Sequence, residues 1–373
     1  MNTIQQQAKR CQVWLSEHAL PRWQNAFDEK AGVFPEGIYQ DGRVYQENVI
    51  RFRVQPRQLY VYAHATELGF VDARQAIEQA VHVGFPRFQT NRETFVFSVD
   101  DELNIKNDEV NAYEHAFALL GYAWHYRLTK EQTSLNKMEA IYQWFQRELA
   151  DAENGGFYSS THYLSLRCQN PHMHLFEALM VCYEHTDDAQ WLERASNIFT
   201  LFSERFMQDE YLCEFFDNQL APKHTLSNLV DPGHHYEWIW LLHHYQKLAG
   251  IDVSAYIAKL NRFASAYGHN DNGLVRDEVK NSGEVFRSTS RLWCQTEYLK
   301  AQIALWERNP SPEREQRVCQ AVEAIFSAYL NPAKKGLWFD QLDSDGLPLQ
   351  KNSPASTFYH LFLAFSELLR IAK

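Results

Sequence analysis

Apolar residues recur at helical spacing along most of the chain. Each stretch has apolar residues at positions i, i+3 and i+4, so that one face of a helix is directed at a core. The pattern covers residues 59–70, 73–85, 114–128, 138–149, 175–185, 191–206, 236–248, 255–268, 296–307, 316–330 and 358–371, after an N-terminal helix over about 3–29. The sequence therefore predicts a mostly helical protein of roughly twelve helices.

Short turns join these helices in pairs, and longer connections separate the pairs. The connections combine a Gly or acidic turn with a brief aromatic strand, as in TFVFSVDDELN (94–104) and GLWFDQLDSDG (336–346). No linker, low-complexity tract or shift in composition interrupts the pattern. We therefore expect a single domain over residues 1–373.

A polar or aromatic residue recurs near the start of every second helix. The recurring residues are Arg57, His115, His174, His234, Trp293 and His360. Their separations are 58, 59, 60, 59 and 67 residues, and a period of about 60 over six units is typical of arrays of helical hairpins. Six such units can close into a ring whose parallel inner helices open their N-terminal ends at one mouth.

Helix-start signals support this arrangement. Asn170-Pro171, Asp231-Pro232 and Ser353-Pro354 each put a capping residue before a proline, and Pro56 precedes Arg57. Such pairs are preferred at the N-cap and first positions of helices. We therefore expect the recurring residues near helix N-termini, where free N–H groups and the positive end of the helix dipole collect.

Charge and composition narrow the possible partners. The chain has 36 Lys and Arg residues against 47 Asp and Glu residues, a net charge of −11, which disfavours nucleic acid. No apolar run approaches the ~20 residues of a membrane span, and no export signal is visible. Six scattered cysteines then favour a cytoplasmic protein with reduced thiols. An aromatic content of 14% with 16 histidines favours a cleft for a neutral polar ligand such as a sugar.

Two histidines are the main candidates for chemistry. Glu237 follows His234 at i+3, on the same helix face, where a carboxylate can fix the tautomer of the imidazole and raise its basicity. The alternative for this pair is a solvated surface contact. His360 interrupts an otherwise apolar helix, and its alternative is a satisfied core histidine.

His174 and Glu177 repeat the i, i+3 spacing. His172 and His174 resemble a metal-binding pair, but on a helix they diverge by about 200°. A zinc site would instead require His174, His234 and His360 to converge, and we expect no metal. No nucleotide-binding glycine motif or metalloprotease motif is present, so we expect no cofactor either.

Arg57 is expected to be buried near the mouth, where an arginine needs anionic or carbonyl partners. It can stabilise a developing enediolate oxygen, or else it forms a structural salt bridge. His115, Trp293 and Glu297 are expected to line the site, with Trp293 stacking on a sugar ring. The alternative for each of these three residues is packing alone.

Five segments together resemble the N-acylglucosamine 2-epimerase superfamily from about residue 20 to the C-terminus. They are PGHHYEW, NPHMHLFEA, QPRQLYVYAHA, RLWCQTEYLKA and PASTFYHLF. The resemblance implies an (α/α)6 barrel and chemistry at C1 and C2 of a sugar. It carries the catalytic histidine pair onto His234 and His360, and the helper carboxylate onto Glu237. It also carries the mouth arginine onto Arg57 and the sugar contacts onto His174 and Glu177.

Within the superfamily the chain is more similar to the bacterial aldose–ketose isomerases that act on free mannose than to the nucleotide-activated N-acyl epimerases. This implies interconversion of a free hexose such as D-mannose with D-fructose, a monosaccharide as the partner, and a monomer or homodimer. A sugar 2-epimerase, a glycoside hydrolase with two carboxylates and a non-catalytic sugar-binding protein are the alternatives.

The expected mechanism is proton transfer. His234, backed by Glu237, is the acid that opens the sugar ring, and His360 is the base that moves a proton between C2 and C1. Return of the proton to C1 gives the ketose. Delivery to C2 from the opposite face gives the epimer.

Overall fold

The computed structural model describes residues 3–45, 47–90, 93–161, 166–332 and 334–373. It is mostly helical, as the apolar pattern predicts. The α-helices are α1 (Ile4–Val13), α2 (Leu20–Gln24), α3 (Val54–Glu67), α4 (Arg74–Gln79), α5 (Ala112–Thr129), α6 (Gln132–Trp144), α7 (Gln169–Thr186), α8 (Ala189–Leu201), α9 (Pro232–Ala249), α10 (Ser254–Tyr267), α11 (Leu292–Arg308), α12 (Pro312–Ala324) and α13 (Ala355–Ile371).

Short antiparallel strands lie in the connections that lead to the odd-numbered helices. They are β1 (Gly37–Tyr39), β2 (Ile50–Arg51), β3 (Ser98–Val99), β4 (Ile105–Asn107), β5 (Arg167–Cys168), β6 (Phe215–Phe216), β7 (Leu229–Val230), β8 (Glu278–Lys280), β9 (Val285–Arg287), β10 (Ser290–Arg291), β11 (Gln341–Leu342) and β12 (Asn352–Pro354). The sheets pair β1 with β12, β2 with β3 and β4, β5 with β6, β7 with β8 and β9, and β10 with β11.

Six helices form the centre of the molecule: α3, α5, α7, α9, α11 and α13. Each packs against the next in sequence, and α13 packs against α3, so the series of contacts closes on itself. These inner helices are buried on nearly every side, because apolar residues surround them rather than forming one stripe. The helices between them bury one face only. One core cluster joins side chains from α1 to α13; the single domain over 1–373 stays a prediction.

The inner helices begin earlier than the apolar pattern predicts. α3 begins at Val54, α7 at Gln169 and α9 at Pro232, because their first turns carry polar side chains that interrupt the apolar spacing. The expected cap is present at α9, where the Asp231 side chain accepts from the Gly233 N–H and Pro232 is the first helical residue.

The other cap expectations are wrong. The α3 cap is Arg53, so Pro56 lies at the third helical position. The α7 cap is Cys168, which puts Pro171 at the third position too. The α13 cap is Pro354 itself. A proline is tolerated in the first turn because the N–H that it lacks has no partner within the helix there.

A second repeated feature is a hydrogen bond between each inner helix and the connection that precedes it. One side chain near the start of each inner helix accepts a hydrogen bond from a backbone N–H at the beginning of the preceding connection, at 2.8–3.1 Å. We call these side chains the struts: Gln55, His115, His172, His235, Gln295 and Ser353. Their separations are 60, 57, 63, 60 and 58 residues, which matches the period of about 60 found in the sequence.

The strut histidines use both ring nitrogens on the backbone. His115 Nδ1 lies 2.8 Å from the Asn111 carbonyl oxygen and its Nε2 accepts from the Phe95 N–H. His172 and His235 make the same pair of bonds. The expectation that His115 lines the mouth is therefore wrong, and its place in the period comes from its strut role.

None of the helices in the described part of the chain is long and apolar enough to span a membrane.

Candidate active site

A cavity of about 360 Å³ lies at the N-terminal ends of the inner helices. This volume falls within the range of small-molecule sites. Six of the residues predicted from the sequence line it: Arg57, His174, His234, Glu237, Trp293 and His360. Side chains far apart along the chain therefore converge on one enclosed space.

His234 pairs with a carboxylate that the sequence analysis did not identify. Its Nδ1 lies 2.9 Å from Glu214 Oε2, and Gln169 Nε2 donates to the same oxygen at 2.8 Å. The predicted pairing of His234 with Glu237 is therefore wrong. Glu214 directly precedes β6, 20 residues before His234, so helical spacing could not reveal it. The only signal is an acidic residue in the aromatic segment CEFFD.

The protonation state of His234 follows from these neighbours. Burial acts to lower the pKa of His234, but the carboxylates of Glu214 and Asp231 outweigh it and raise the pKa to about 10. His234 is therefore an imidazolium at neutral pH. With Nδ1 held by Glu214, the Nε2–H is left to donate into the cavity.

His360 has the opposite character. Its Nδ1 lies 2.8 Å from Glu297 Oε1, and the other Glu297 oxygen lies 2.6 Å from the Lys300 ammonium. Burial, together with the positive charges of Arg57 and Lys300, holds the pKa of His360 well below its ordinary value. His360 is therefore a neutral imidazole at neutral pH, able to accept a proton.

Glu297 is fully buried and does not line the cavity. Its observed contact is with His360, and the sugar contact expected of it stays a prediction. Because the Lys300 ammonium offsets the Glu297 charge, this carboxylate does not turn His360 into a cation.

Trp293 lies between the two catalytic candidates. Its ring centroid is 5.2 Å from that of His234 and 5.7 Å from that of His360. A Cβ atom at Gly233 would come within 2.7 Å of the Trp293 ring, so a glycine is required beside His234 for the indole to occupy this place. Both histidines therefore contact the same indole ring, and all three side chains line the cavity.

His174 lines the cavity and lies near two buried carboxylates. Its Nδ1 lies 3.4 Å from Glu177 Oε2 and 4.0 Å from Glu237 Oε1. Glu177 also accepts a hydrogen bond from the Tyr359 hydroxyl and lies behind His174, outside the cavity lining. The sugar contact expected of Glu177 stays a prediction.

Glu237 lines the cavity with an unpartnered buried oxygen, Oε1. Burial and then the charge of Glu297 raise the pKa of Glu237 well above its ordinary value. This carboxyl group therefore retains a proton more readily than an ordinary glutamate. In that form it can donate a hydrogen bond to a sugar oxygen.

Arg57 has no carboxylate within 4.0 Å among the residues that the structure describes. Its Nη2 donates to the Tyr113 hydroxyl at 2.6 Å, and its Cζ lies 4.0 Å over the Phe117 ring. Its Nε is buried without a hydrogen-bond partner. The salt-bridge alternative is therefore wrong, and Arg57 supplies a positive charge that is free to contact an oxyanion.

Further polar residues line the cavity that the sequence analysis did not assign to it. Asp340 accepts from the Thr357 hydroxyl at 2.5 Å, and burial raises the pKa of Asp340 to about 6. Arg291 Nε donates to Asp277 at 3.0 Å. The buried Asn170 Oδ1 has no partner and is available to a ligand hydroxyl.

The interior also holds two groups of three potential metal ligands. They are His174, Glu177 and Glu237, and Glu237, Glu297 and His360. The Lys300 ammonium already contacts Glu297, and the Tyr359 hydroxyl already contacts Glu177. The three histidines proposed for zinc all line the cavity, but they do not form a group of ligand spacing among the described residues. That no metal is bound here stays a prediction.

Comparison with known proteins identifies the family. A model of the N-acylglucosamine 2-epimerase (GlcNAc 2-epimerase) family matches residues 32–364. A mannose-6-phosphate isomerase of Rhizobium meliloti (strain 1021) is 32% identical over 98% of this chain and 97% of its own length.

Solved structures show the same fold. A crystal structure of D-mannose isomerase has a TM-score of 0.87 at 20% identity and covers 95% of this chain and 96% of its own. A cellobiose 2-epimerase from Bacillus thermoamylovorans B4167 has a TM-score of 0.83 at 21% identity and covers 98% and 99%. The chain therefore belongs to the N-acylglucosamine 2-epimerase family.

Proposed function

We propose that this protein is an aldose–ketose isomerase that interconverts a free hexose such as D-mannose with D-fructose, on an (α/α)6 barrel. The observation that carries the proposal is the opposite protonation of two histidines on one cavity. His234, with a pKa of about 10, is an acid, and His360, with its pKa held far below the ordinary range, is a base. Isomerisation needs both at the same pH.

The first step is ring opening. His234 donates its Nε2 proton to the ring oxygen O5 and the C1–O5 bond breaks. The O1 hydroxyl proton then passes to the neutral Nε2 of His234, so C1 becomes an aldehyde and the imidazolium is restored. Glu214 stabilises the imidazolium before the transfer and orients the ring. Trp293 supports the sugar between the two histidines.

The second step moves a proton from C2 to C1. His360 removes the C2 proton, and the electron pair forms a C1–C2 double bond while negative charge develops on O1. Arg57 stabilises this enediolate oxygen, since its guanidinium has no competing carboxylate. The O2 hydroxyl proton passes to O1 of the enediolate, and His360 returns its proton to C1, so that C2–O2 becomes the ketose carbonyl.

The charges around the cavity support a free sugar rather than a sugar phosphate. Of the two arginines that line it, Arg57 lacks a carboxylate partner, while Arg291 is held by Asp277 and lies 3.5 Å from Asp231. Asp231, Glu278 and Asp340 also line the space. A phosphate dianion would be repelled by these acidic groups.

The test is incubation with a panel of sugars, with products read by NMR. The panel contains mannose, glucose, fructose, lyxose, N-acetylmannosamine and mannose 6-phosphate. We expect mannose and fructose to interconvert, with solvent deuterium from D2O appearing at C1 of fructose. Turnover of mannose 6-phosphate alone would contradict the free-sugar proposal, and no conversion of any sugar would contradict the isomerase proposal.

A sugar 2-epimerase is the second candidate. His234 and His360 face the same cavity across Trp293, an arrangement that could protonate C2 from the face opposite to the one deprotonated. The same panel separates the two outcomes. A 2-epimerase would convert mannose to glucose with deuterium at C2, without accumulation of fructose.

A further inference from the structure

A cluster of two histidines and two glutamates lies on the outside of the ring, away from the cavity. Glu78 belongs to α4, and His82 follows it by four residues in the π-helical segment Ala80–Gly84. His125 is near the end of α5, and Glu131 directly precedes α6. The cluster thus joins an outer helix to the turn between an inner helix and its partner.

The ligand atoms of these four residues all lie within 4.8 Å of one another. His82 Nε2 is 3.1 Å from Glu78 Oε2 and 3.6 Å from Glu131 Oε2, and His125 Nε2 is 3.3 Å from Glu78 Oε1. In a tetrahedral zinc site with bonds of about 2.1 Å, ligand atoms lie about 3.4 Å apart. The cluster therefore already has nearly the spacing of a four-coordinate metal site.

The buried member of the cluster has an unused nitrogen. His125 is fully buried, and its Nε2 has no hydrogen-bond partner although it faces Glu78. Its Nδ1 lies 2.7 Å from the Ser134 hydroxyl, which fixes the ring orientation as outer partners of metal-bound histidines do.

The two carboxylates of the cluster also lack a lysine or arginine partner among the described residues. The ion-pair contacts of Glu78 and Glu131 within the described residues are to His82 and His125, with no lysine or arginine within 4.0 Å of either carboxylate. A divalent cation bound among the four side chains would bring a positive charge to the two carboxylates and a partner to the Nε2 of His125.

We propose that Glu78, His82, His125 and Glu131 form a binding site for a divalent transition metal ion, zinc by preference. Two imidazoles and two carboxylates in tetrahedral spacing suit Zn²⁺ better than Ca²⁺ or Mg²⁺, which prefer all-oxygen ligands. The bound ion links α4 to the α5–α6 turn and stabilises the packing of the α5–α6 hairpin against α4. This site is structural and takes no part in the sugar chemistry.

The test is zinc binding by the full-length protein after treatment with a chelator. Calorimetric titration with ZnCl2 and elemental analysis are expected to give one equivalent in the wild type. His82→Ala and Glu131→Gln are each expected to weaken binding at least tenfold. Both residues are partly exposed, so these substitutions leave the core intact, whereas changing the buried His125 would also alter packing.

His244→Ala is the matched control. His244 also contacts one carboxylate, Glu184 at 3.0 Å, but it is not part of a candidate metal group among the described residues. This variant is expected to keep the zinc equivalent. Zinc is also expected to raise the thermal unfolding midpoint of the wild type and not that of His82→Ala, with sugar turnover equal in the two.

Two outcomes would overturn the proposal. One is a wild-type protein that binds no zinc at micromolar concentration. The other is a His82→Ala protein that keeps the full equivalent with unchanged affinity, which would move the ion to the interior carboxylates.

Discussion

The inner helices bury two sets of histidines that differ in the groups they contact. The struts His115, His172 and His235 bond backbone carbonyl oxygens and backbone N–H groups. His174, His234 and His360 line the cavity, and each has its Nδ1 on a glutamate. All six are at least nine-tenths buried.

The two sets show that burial alone does not decide the state of a histidine. Among the struts burial prevails, and it lowers the pKa to about 4 in His115, about 3 in His172 and about 4 in His235. In the cavity burial also lowers the pKa of His174 to about 4 and that of His360 well below its ordinary value, but at His234 the neighbouring carboxylates outweigh it. Unbalanced carboxylates raise the pKa of His234 to about 10, whereas the Glu297 carboxylate beside His360 is offset by Lys300.

The largest expected effect on kcat comes from His360→Gln, and the same substitution at the strut His115 is its comparison. His360→Gln should lower kcat at least ~10³-fold, because a general base contributes about 10²–10⁴-fold, and should leave the thermal unfolding midpoint nearly unchanged. His115→Gln should retain most of kcat. Steady-state kinetics with mannose and thermal unfolding of both variants check this. More than a tenth of wild-type kcat in His360→Gln would contradict the assignment of the base.

Glu214→Gln should remove the charge beside His234 while keeping a hydrogen-bond acceptor. The pKa of His234 then falls, and the alkaline limb of kcat/KM moves from near pH 10 to lower pH, with a loss of about 10- to 100-fold at neutral pH. Rate profiles from pH 6 to 10.5 measure the shift. Glu237→Gln is the control, since Glu237 does not contact His234 through a hydrogen bond, and its shift should be smaller.

His234 also makes the stability of the folded protein depend on pH. The pKa of His234 in the folded protein lies above the ordinary value of about 6.5. Its stabilising contribution is therefore fully present below about pH 6.5 and is lost as the pH rises toward 10. In Glu214→Gln this pH dependence of the free energy of unfolding should be weaker, as denaturant titrations at several pH values would show. An identical dependence in both proteins would contradict the raised pKa.

His115→Ala should lower the free energy of unfolding by about 2–3 kcal/mol, because it removes both hydrogen bonds of the ring and leaves the buried Phe95 N–H without its partner. His115→Gln should lose about 1 kcal/mol, since Gln55 and Gln295 already make equivalent bonds. Urea denaturation of both variants measures the difference. Equal losses would show that the hydrogen bonds of the strut contribute little.

Trp293→Leu should have the smallest effect. It removes the aromatic surface between His234 and His360, worth about 0.5–1.5 kcal/mol. KM for mannose should rise roughly two- to tenfold with little change in kcat, measured under the same conditions as His360→Gln. A fall in kcat of similar size to that in His360→Gln would instead give Trp293 a part in orienting the base.

The paired helices and the period were predictable because apolar spacing and repeat length are local properties of the sequence. The period did not separate struts from cavity residues, since His234 and His235 are neighbours and His172 and His174 are two apart. Each residue turns a helix by about 100°, so one position decides which set a histidine joins. The pairing of Glu214 with His234 depends on how a connection folds across the mouth, and helical spacing carries no information about it.

The struts have a consequence for how the connections around the mouth can vary. Each strut bond closes a connection of 15 to 23 residues, yet the bond length stays at 2.8–3.1 Å. A loop that varies in length between two fixed anchor points can be lengthened, shortened or exchanged without displacing the helices beneath it. A connection at the rim can therefore change in length while the cavity residues on the inner helices keep their positions.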